Sequence, residues 1–373
     1  MRLRALDTSG DRDRSNHDAA IIRSPEDAAA AHVGGFEAAC LIGNDNLPVA
    51  TNHFKIEARL PESFSFLRDG DIIGLHPQTG KFRVLFRRSS EHNSFLVTER
   101  CNHYCLMCSQ PPRDVDDGWI LDEIEQCLPL IDPSTHSIGF TGGEPLLEWQ
   151  RFVPLLGLAR SVLPETSVHV LTNGRGFAAP EVASAWAAVD HPRLCAGIPI
   201  YSAIDYVHDH VVQARGALDE TVLGILRLKD KGQAVEIRVV LHQITAPRLE
   251  ETCNWLARNL PFVDHVALMG LENTGFAIAN QDILWIDPAD YHRELVAGVN
   301  ILASAGIRVS VYNLPLCLLD RTIWPFATQS ISDWKNIYLP VCDDCAVRDR
   351  CAGFFSTGRM RQSRLVKAIH SEG

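Results

Sequence analysis

The sequence predicts an α/β protein built around a parallel sheet, and three observations carry that reading. Short apolar strand patterns alternate with helical patterns between about Asn93 and Tyr312. Residues able to carry chemistry gather just after those strand patterns, at the carboxyl ends where parallel sheets place their ligands. Ahead of this region the periodicity is different, with closely spaced strand candidates broken by turn dipeptides.

Residues 1–34 are polar, rich in Asp, Arg and Ala, and without a sustained period, so a flexible arm is expected there. Residues 35–90 read as a small β-rich domain with strands at 54–58, 68–75 and 81–86 and turns at Asp69-Gly70 and Thr79-Gly80. Residues 91–312 form the core. Its strands are expected at 95–98, 137–141, 167–172, 194–201, 235–241 and 263–269, with 308–312 as an extra one. Helices are expected at 121–130, 148–163, 180–188, 218–231 and 248–259. Residues 313–373 are a cysteine-rich C-terminal region.

Composition fits a globular enzyme: 46% of the 373 residues are hydrophobic and 22% are charged. No apolar stretch is long enough to span a bilayer, and the chain turns polar directly after Met1, so no membrane, no signal peptide and a reducing, cytoplasmic location are expected. A net charge of -11 argues against nucleic acid as the main partner, because phosphate neutralisation needs a surplus of Lys and Arg. The basic residues Arg359, Arg361, Arg364 and Lys367 read as a solvated face or a helix end. Of the 11 cysteines, Cys40, Cys127, Cys195 and Cys253 are scattered and read as small buried hydrophobes. His53, His76 and His92 lack metal-ligand spacing.

The remaining cysteines fall into two sets. Cys101, Cys105 and Cys108 lie on one short loop, in C-x3-C-x2-C spacing. Three thiolates can hold three irons of a four-iron cluster and leave the fourth open to a ligand that is not protein. A zinc knuckle or buried structural thiols are the bland alternatives.

This loop follows a strand pattern, and Thr141-Gly142-Gly143-Glu144-Pro145 follows the next one; together they resemble the radical SAM superfamily. The resemblance implies a partial barrel of six βα units. It also implies a [4Fe-4S] cluster whose open iron is chelated by S-adenosylmethionine (SAM), with the Gly-Gly-Glu segment contacting the methionine amino group. Cofactor contacts are accordingly expected at Tyr104, Gly142, Gly143 and Glu144, at Thr172 and Asn173 after the third strand, and at the Ser202 hydroxyl after the fourth. Thr172-Asn173-Gly174 can equally be an ordinary strand-ending turn. Arg238, a cation in an apolar strand, needs a partner. The SAM carboxylate is the expected one, and Glu236, read as facing the other side of the strand, is set aside. Residues 268–273 are candidates for the adenine pocket. His208-Asp209 with Arg215-Gly216 resembles a pair found in peptide-modifying members, although a helix-positioning salt bridge is the preferred role of His208 and Asp209.

The second set is Cys317, Cys342, Cys345 and Cys351. Four soft ligands can close a tetrahedral site, either a second iron-sulfur cluster or zinc. The C-x2-C-x5-C spacing resembles a shortened auxiliary-cluster domain of peptide-modifying members, with Phe355 where a further cysteine would stand. The runs 98–102, 106–112, 140–147 and 332–355 resemble the His-Xaa-Ser system radical SAM maturases of the C type (HxsC-like). That resemblance implies a ribosomally made precursor peptide with His-Xaa-Ser repeats as substrate, a partner radical SAM maturase, and an electron donor such as flavodoxin or ferredoxin. Two other readings remain open: a radical SAM enzyme for a small metabolite or RNA, and a non-catalytic iron-sulfur or zinc protein.

Overall fold

The computed structural model describes residues 1–4, 18–43, 54–76, 81–329, 337–357 and 361–370. Strands β1 (Arg2–Arg4), β2 (Asp18–Ile22), β3 (Ala38–Ile42), β4 (Ile56–Leu60), β5 (Ile72–His76) and β6 (Lys81–Phe86) form one mixed sheet in the order β4-β3-β2-β1-β5-β6. The described part of 1–34 is therefore not an arm: it supplies two strands and helix α1 (Pro25–Val33). The physical reason is burial on both faces. Leu3, Ala19 and Ile21 pack to one side, and Ala20 and Ile22 pack to the other with Ala31 of α1, so β2 shows no polar alternation to read. Ser24 and Asp27 close a capping box at the start of α1. Asp69-Gly70 forms the expected turn, with Gly70 at φ +83. Thr79-Gly80, His53, the run Ser332–Asn336 and Arg359 lie outside the described residues.

The second sheet is parallel throughout. It contains β7 (Asn93–Leu96), β8 (Ser137–Thr141), β9 (Ser167–Leu171), β10 (Leu194–Pro199), β11 (Ala234–Leu241), β12 (His265–Gly270) and β13 (Val309–Tyr312), hydrogen-bonded in simple sequence order. Helices α2 (Trp119–Cys127), α3 (Trp149–Val162), α4 (Pro180–Ala188), α5 (Asp205–Val212), α6 (Ala217–Asp230), α7 (Leu249–Asn259), α8 (Phe276–Ala279), α9 (Gln281–Leu284) and α10 (His292–Ser304) connect them. In β11 the residues Val235, Ile237, Val239 and Leu241 are fully buried in the helix-covered core, while Glu236 and Arg238 alternate to the inner face. Ser94, Thr141, Leu171, Pro199, Arg238, Met269 and Tyr312, one from each of the seven strands, line a single cavity. Only a curled sheet can do this, so the fold is the partial barrel expected, with β13 as a seventh strand.

Cys40, Cys127 and Cys253 are buried in apolar surroundings, as their isolated positions suggested. Burial pushes each of their thiols up to about 12.

Candidate active site

The inner face of the curled sheet opens on a cavity of about 960 Å³. Its mouth is shaped by two loops whose backbones touch. Gly143 N–H donates to the Thr98 carbonyl at 2.7 Å, and Glu144 N–H donates to the Arg100 carbonyl at 2.8 Å. Such an approach leaves no room for side chains. A Cβ at Gly143 would collide with the Arg100 carbonyl, and one at Gly142, where φ is +134, would stand 2.5 Å from the Thr98 oxygen. The Gly-Gly pair thus positions the start of the cysteine loop.

That loop is held at several other points. Thr98 Oγ1 and Glu99 N–H donate to the buried Asp117 at 2.9 and 2.5 Å. Tyr104 N–H and Leu106 N–H donate to the last carbonyls of α5, on Val212 and Val211, at 3.1 and 2.9 Å. Asn280 Nδ2 donates to the Leu106 carbonyl at 2.8 Å. Met107 anchors the loop by packing with Val211, Val212, Ala277 and Leu284. Cys101, Cys105 and Cys108 all stand on the cavity wall. Burial raises all three thiols, Cys101 to about 12, and a metal centre held there would supply the counter-charge that ionises them.

The other expected cofactor residues divide. Gly142, Gly143, Thr172, Asn173 and Arg238 line the cavity, as do Met269, Gly270, Leu271 and Glu272. Glu144 stands behind the wall, 2% exposed. Its carboxylate accepts from Leu146 N–H at 2.9 Å, Thr172 Oγ1 at 2.7 Å and Asn173 N–H at 2.6 Å. Burial raises its pKa against those hydrogen bonds. Glu144 therefore ties the end of β8 to the end of β9, and the Gly-Gly backbone is what faces the cavity. Asn173 extends the tie, donating from Nδ2 to Asn102 Oδ1 at 2.6 Å within the cysteine loop.

Three expectations need correction. Ser202 is buried off the wall, its hydroxyl accepting from Ile204 N–H at 3.1 Å in the turn that starts α5; the neighbouring Tyr201 lines the cavity instead. Tyr104 is 54% exposed and absent from the cavity wall. Glu236 does partner Arg238, whose Nη1 donates to Glu236 Oε1 at 2.8 Å, because residues two apart on a strand share a face. Glu236 also meets His265 Nδ1 at 2.7 Å and His169 Nε2 at 3.4 Å. Burial works to raise its pKa, but those histidines and Arg238 hold it far below the carboxylate range. Of this charged cluster only Arg238 lines the cavity; it continues from His265 to Ser310 at 3.0 Å and draws on four strands distant in sequence, so no local pattern announces it. Asp209 positions a helix as expected, although by accepting from Gly216 and Leu218 N–H at the start of α6 rather than by an ion pair.

Residues 95–256 match the family model of the Radical SAM superfamily. This chain carries a radical SAM domain. Similar solved structures include Streptococcus suis SuiB bound to the precursor peptide SuiA, 13% identical with a TM-score of 0.46, over 60% of this chain and 48% of that one. Another is anSMEcpe with bound AdoMet and the Cp18Cys peptide, 16% identical with a TM-score of 0.45, over 58% of this chain and 62% of that one. The radical SAM enzyme HemN of Escherichia coli, a coproporphyrinogen III oxidase, is 15% identical with a TM-score of 0.45, over 58% and 53%. The chain thus spans about half the length of SuiB. No curated protein matches it. No helix among the described residues is long and apolar enough to cross a membrane.

The second cysteine set lies beyond β13. Cys351 is buried and its sulfur accepts from Leu316 N–H at 3.3 Å and Gly353 N–H at 3.4 Å. Cys345 Sγ accepts from Ile369 N–H at 3.4 Å, and Cys317 takes a backbone hydrogen bond from Lys367. Burial raises the Cys317 and Cys351 thiols, and the charges of Cys342 and other cysteines of the set add to it. The covering tail is fastened by Arg364, whose guanidinium reaches Asp287 at 3.0 Å and Asp290 at 2.5 Å.

Proposed function

We propose that this chain is a radical SAM maturase that reductively cleaves SAM and modifies a ribosomally made peptide with His-Xaa-Ser repeats. The observation that carries the chemistry is the placement of Cys101, Cys105 and Cys108 on one cavity wall together with the Gly142-Gly143 backbone and Arg238. Among the described residues no three His, Cys, Asp or Glu side chains gather around the position of a single ion. A four-iron cluster gives each thiolate its own iron, so three spread thiols facing open space suit it. When bound, the cluster supplies the electron that cleaves SAM to methionine and a 5'-deoxyadenosyl radical, which takes a hydrogen atom from the substrate.

The chain's own residues bind and orient. Arg238 offers its guanidinium to the methionine carboxylate, and its bond to Glu236 fixes the direction of that fork. The backbone of Gly142 and Gly143 meets the amino group, while Thr172 and Asn173, tied by Glu144, form the adjoining rim. Buried Tyr201 keeps its phenol protonated through burial and the nearby Cys105 and Cys108, so it faces the cavity as a hydroxyl. The apolar cluster around Met107 excludes water beneath the loop.

Cys317, Cys342, Cys345 and Cys351 would hold a second iron-sulfur cluster, with zinc as the alternative. Backbone N–H groups aimed at three of these sulfurs support the cluster, since such bonds stabilise thiolates and tune its potential. A precursor peptide, a second radical SAM maturase and flavodoxin or ferredoxin are the proposed partners, in the cytoplasm. The test is anaerobic reconstitution followed by assay of 5'-deoxyadenosine and iron. Release of 5'-deoxyadenosine with roughly eight irons per chain is expected; roughly four irons with release would reassign the C-terminal set to zinc or structure, and no release would end the radical reading.

A further inference from the structure

The cavity extends past the barrel onto the N-terminal sheet, where Phe66, Val84, Phe86, Arg87 and His92 form part of its wall. Arg87 differs from the other cations of the site. Arg238 is matched by Glu236, whereas Arg87 makes no ion pair among the described residues. Its guanidinium lies over the Phe66 ring, 5.1 Å from the centroid, and its Nε is buried without a hydrogen-bond partner. Asp71, a carboxylate that feels the charge of Arg87, is fully buried and already accepts from Arg68 N–H and Arg88 N–H at 2.8 Å. Asp71 acts on Arg87 only through space.

The backbone of Arg87 is also fixed. Asn93 Oδ1 accepts from Arg87 N–H at 2.8 Å, and Asn93 Nδ2 donates to the Arg87 carbonyl at 3.0 Å and the Ser90 carbonyl at 3.1 Å. Asn93 is the first residue of β7, so the clamp joins the end of β6 to the first core strand. A planar cation stacked on an aromatic face, clamped at its backbone and lacking a carboxylate is preorganised for one. A protein with 46 acidic and 35 basic residues had many carboxylates available to neutralise it.

We propose that Arg87, stacked on Phe66, is a substrate-specificity residue that binds a carboxylate of the peptide while the cysteine loop acts on another part of it. The carboxylate can be an acidic side chain or the peptide's C-terminus; both present the same two oxygens to the guanidinium. This rests on the peptide-maturase reading and adds the chemistry its substrate must carry.

The test uses reconstituted protein with SAM and fluorescein-labelled His-Xaa-Ser repeat peptides, followed by anisotropy. One pair differs by Glu against Gln at a single Xaa position, and a second pair by a C-terminal acid against its amide. The wild type is expected to favour the acid of at least one pair by about tenfold, and the pair showing the preference identifies the source of the carboxylate. Arg87→Met should erase that preference and Arg87→Lys should retain part of it. Release of 5'-deoxyadenosine without peptide should be unchanged in both variants, which separates this inference from the radical reading itself. Equal binding within both pairs, no binding of any peptide, or a preference that survives in Arg87→Met would overturn it.

Discussion

The two cysteine sets use the same ligand type and differ in what surrounds it. Cys101, Cys105 and Cys108 line a 960 Å³ cavity that Arg238 also lines, on a loop held mainly through its backbone. Cys317, Cys342, Cys345 and Cys351 are absent from that wall, and backbone N–H groups of Lys367 and Ile369 in the tail reach the sulfurs of Cys317 and Cys345. Three donors facing space would leave a coordination position for an outside ligand; four donors on one centre would leave none. The number of thiols alone does not separate an open centre from a closed one, but their enclosure does.

The largest expected effect breaks the comparison on the open side. Cys105→Ala should lose roughly four irons and lower 5'-deoxyadenosine release at least ~1000-fold, with the remaining iron unchanged, as read by iron analysis and product assay. Cys351→Ala should do the opposite, losing the C-terminal metal while SAM cleavage without peptide stays within about threefold. Loss of cleavage in both variants would show the two centres to be functionally inseparable.

The buried groups around the cavity wall supply smaller effects. Glu236→Gln removes a carboxylate shared by Arg238, His265 and His169, and should cost about 3 kcal/mol of stability at pH 7 in denaturant unfolding. Because the folded pKa of Glu236 is depressed, its stabilisation is present above the unfolded value of about 4.3 and is lost as pH falls below it. The variant should therefore lose less stability than the wild type on acidification below that point. His242, fully buried near the Tyr201 ring, has its pKa lowered by burial to about 3. A depressed histidine leaves the fold intact above the unfolded pKa of about 6.5 and withdraws stability as pH falls toward 3. Between pH 6.5 and 5 that withdrawal is about 2 kcal/mol, and His242→Gln should flatten the unfolding curve over the same window.

What the sequence revealed follows from how local each signal is. β8 at Ser137–Thr141 and α4 at Pro180–Ala188 were legible residue for residue, because a strand or helix that packs on one core repeats its own period. The cysteine spacing and Gly142-Gly143 were legible because close backbone approach demands particular residues at particular offsets. β2 and β3 carry no legible alternation because both of their faces are buried, and β1 is only three residues long. Glu236 shares the face of Arg238, since residues two apart on a strand point the same way, and Tyr201 rather than the adjacent Ser202 reaches the wall. Asp117, Asn93 and Arg87 act across elements far apart in the chain, and no period or spacing announces such partners.

The central claim is that SAM binds the iron left open by the loop cysteines. Electron-nuclear double resonance of the reduced, reconstituted protein with SAM labelled by 15N at its methionine amino group tests it most directly. The account predicts a 15N coupling to the cluster that disappears in Cys105→Ala and persists in Cys351→Ala. An uncoupled cluster in the wild type, or a coupling that depends on Cys351, would contradict it.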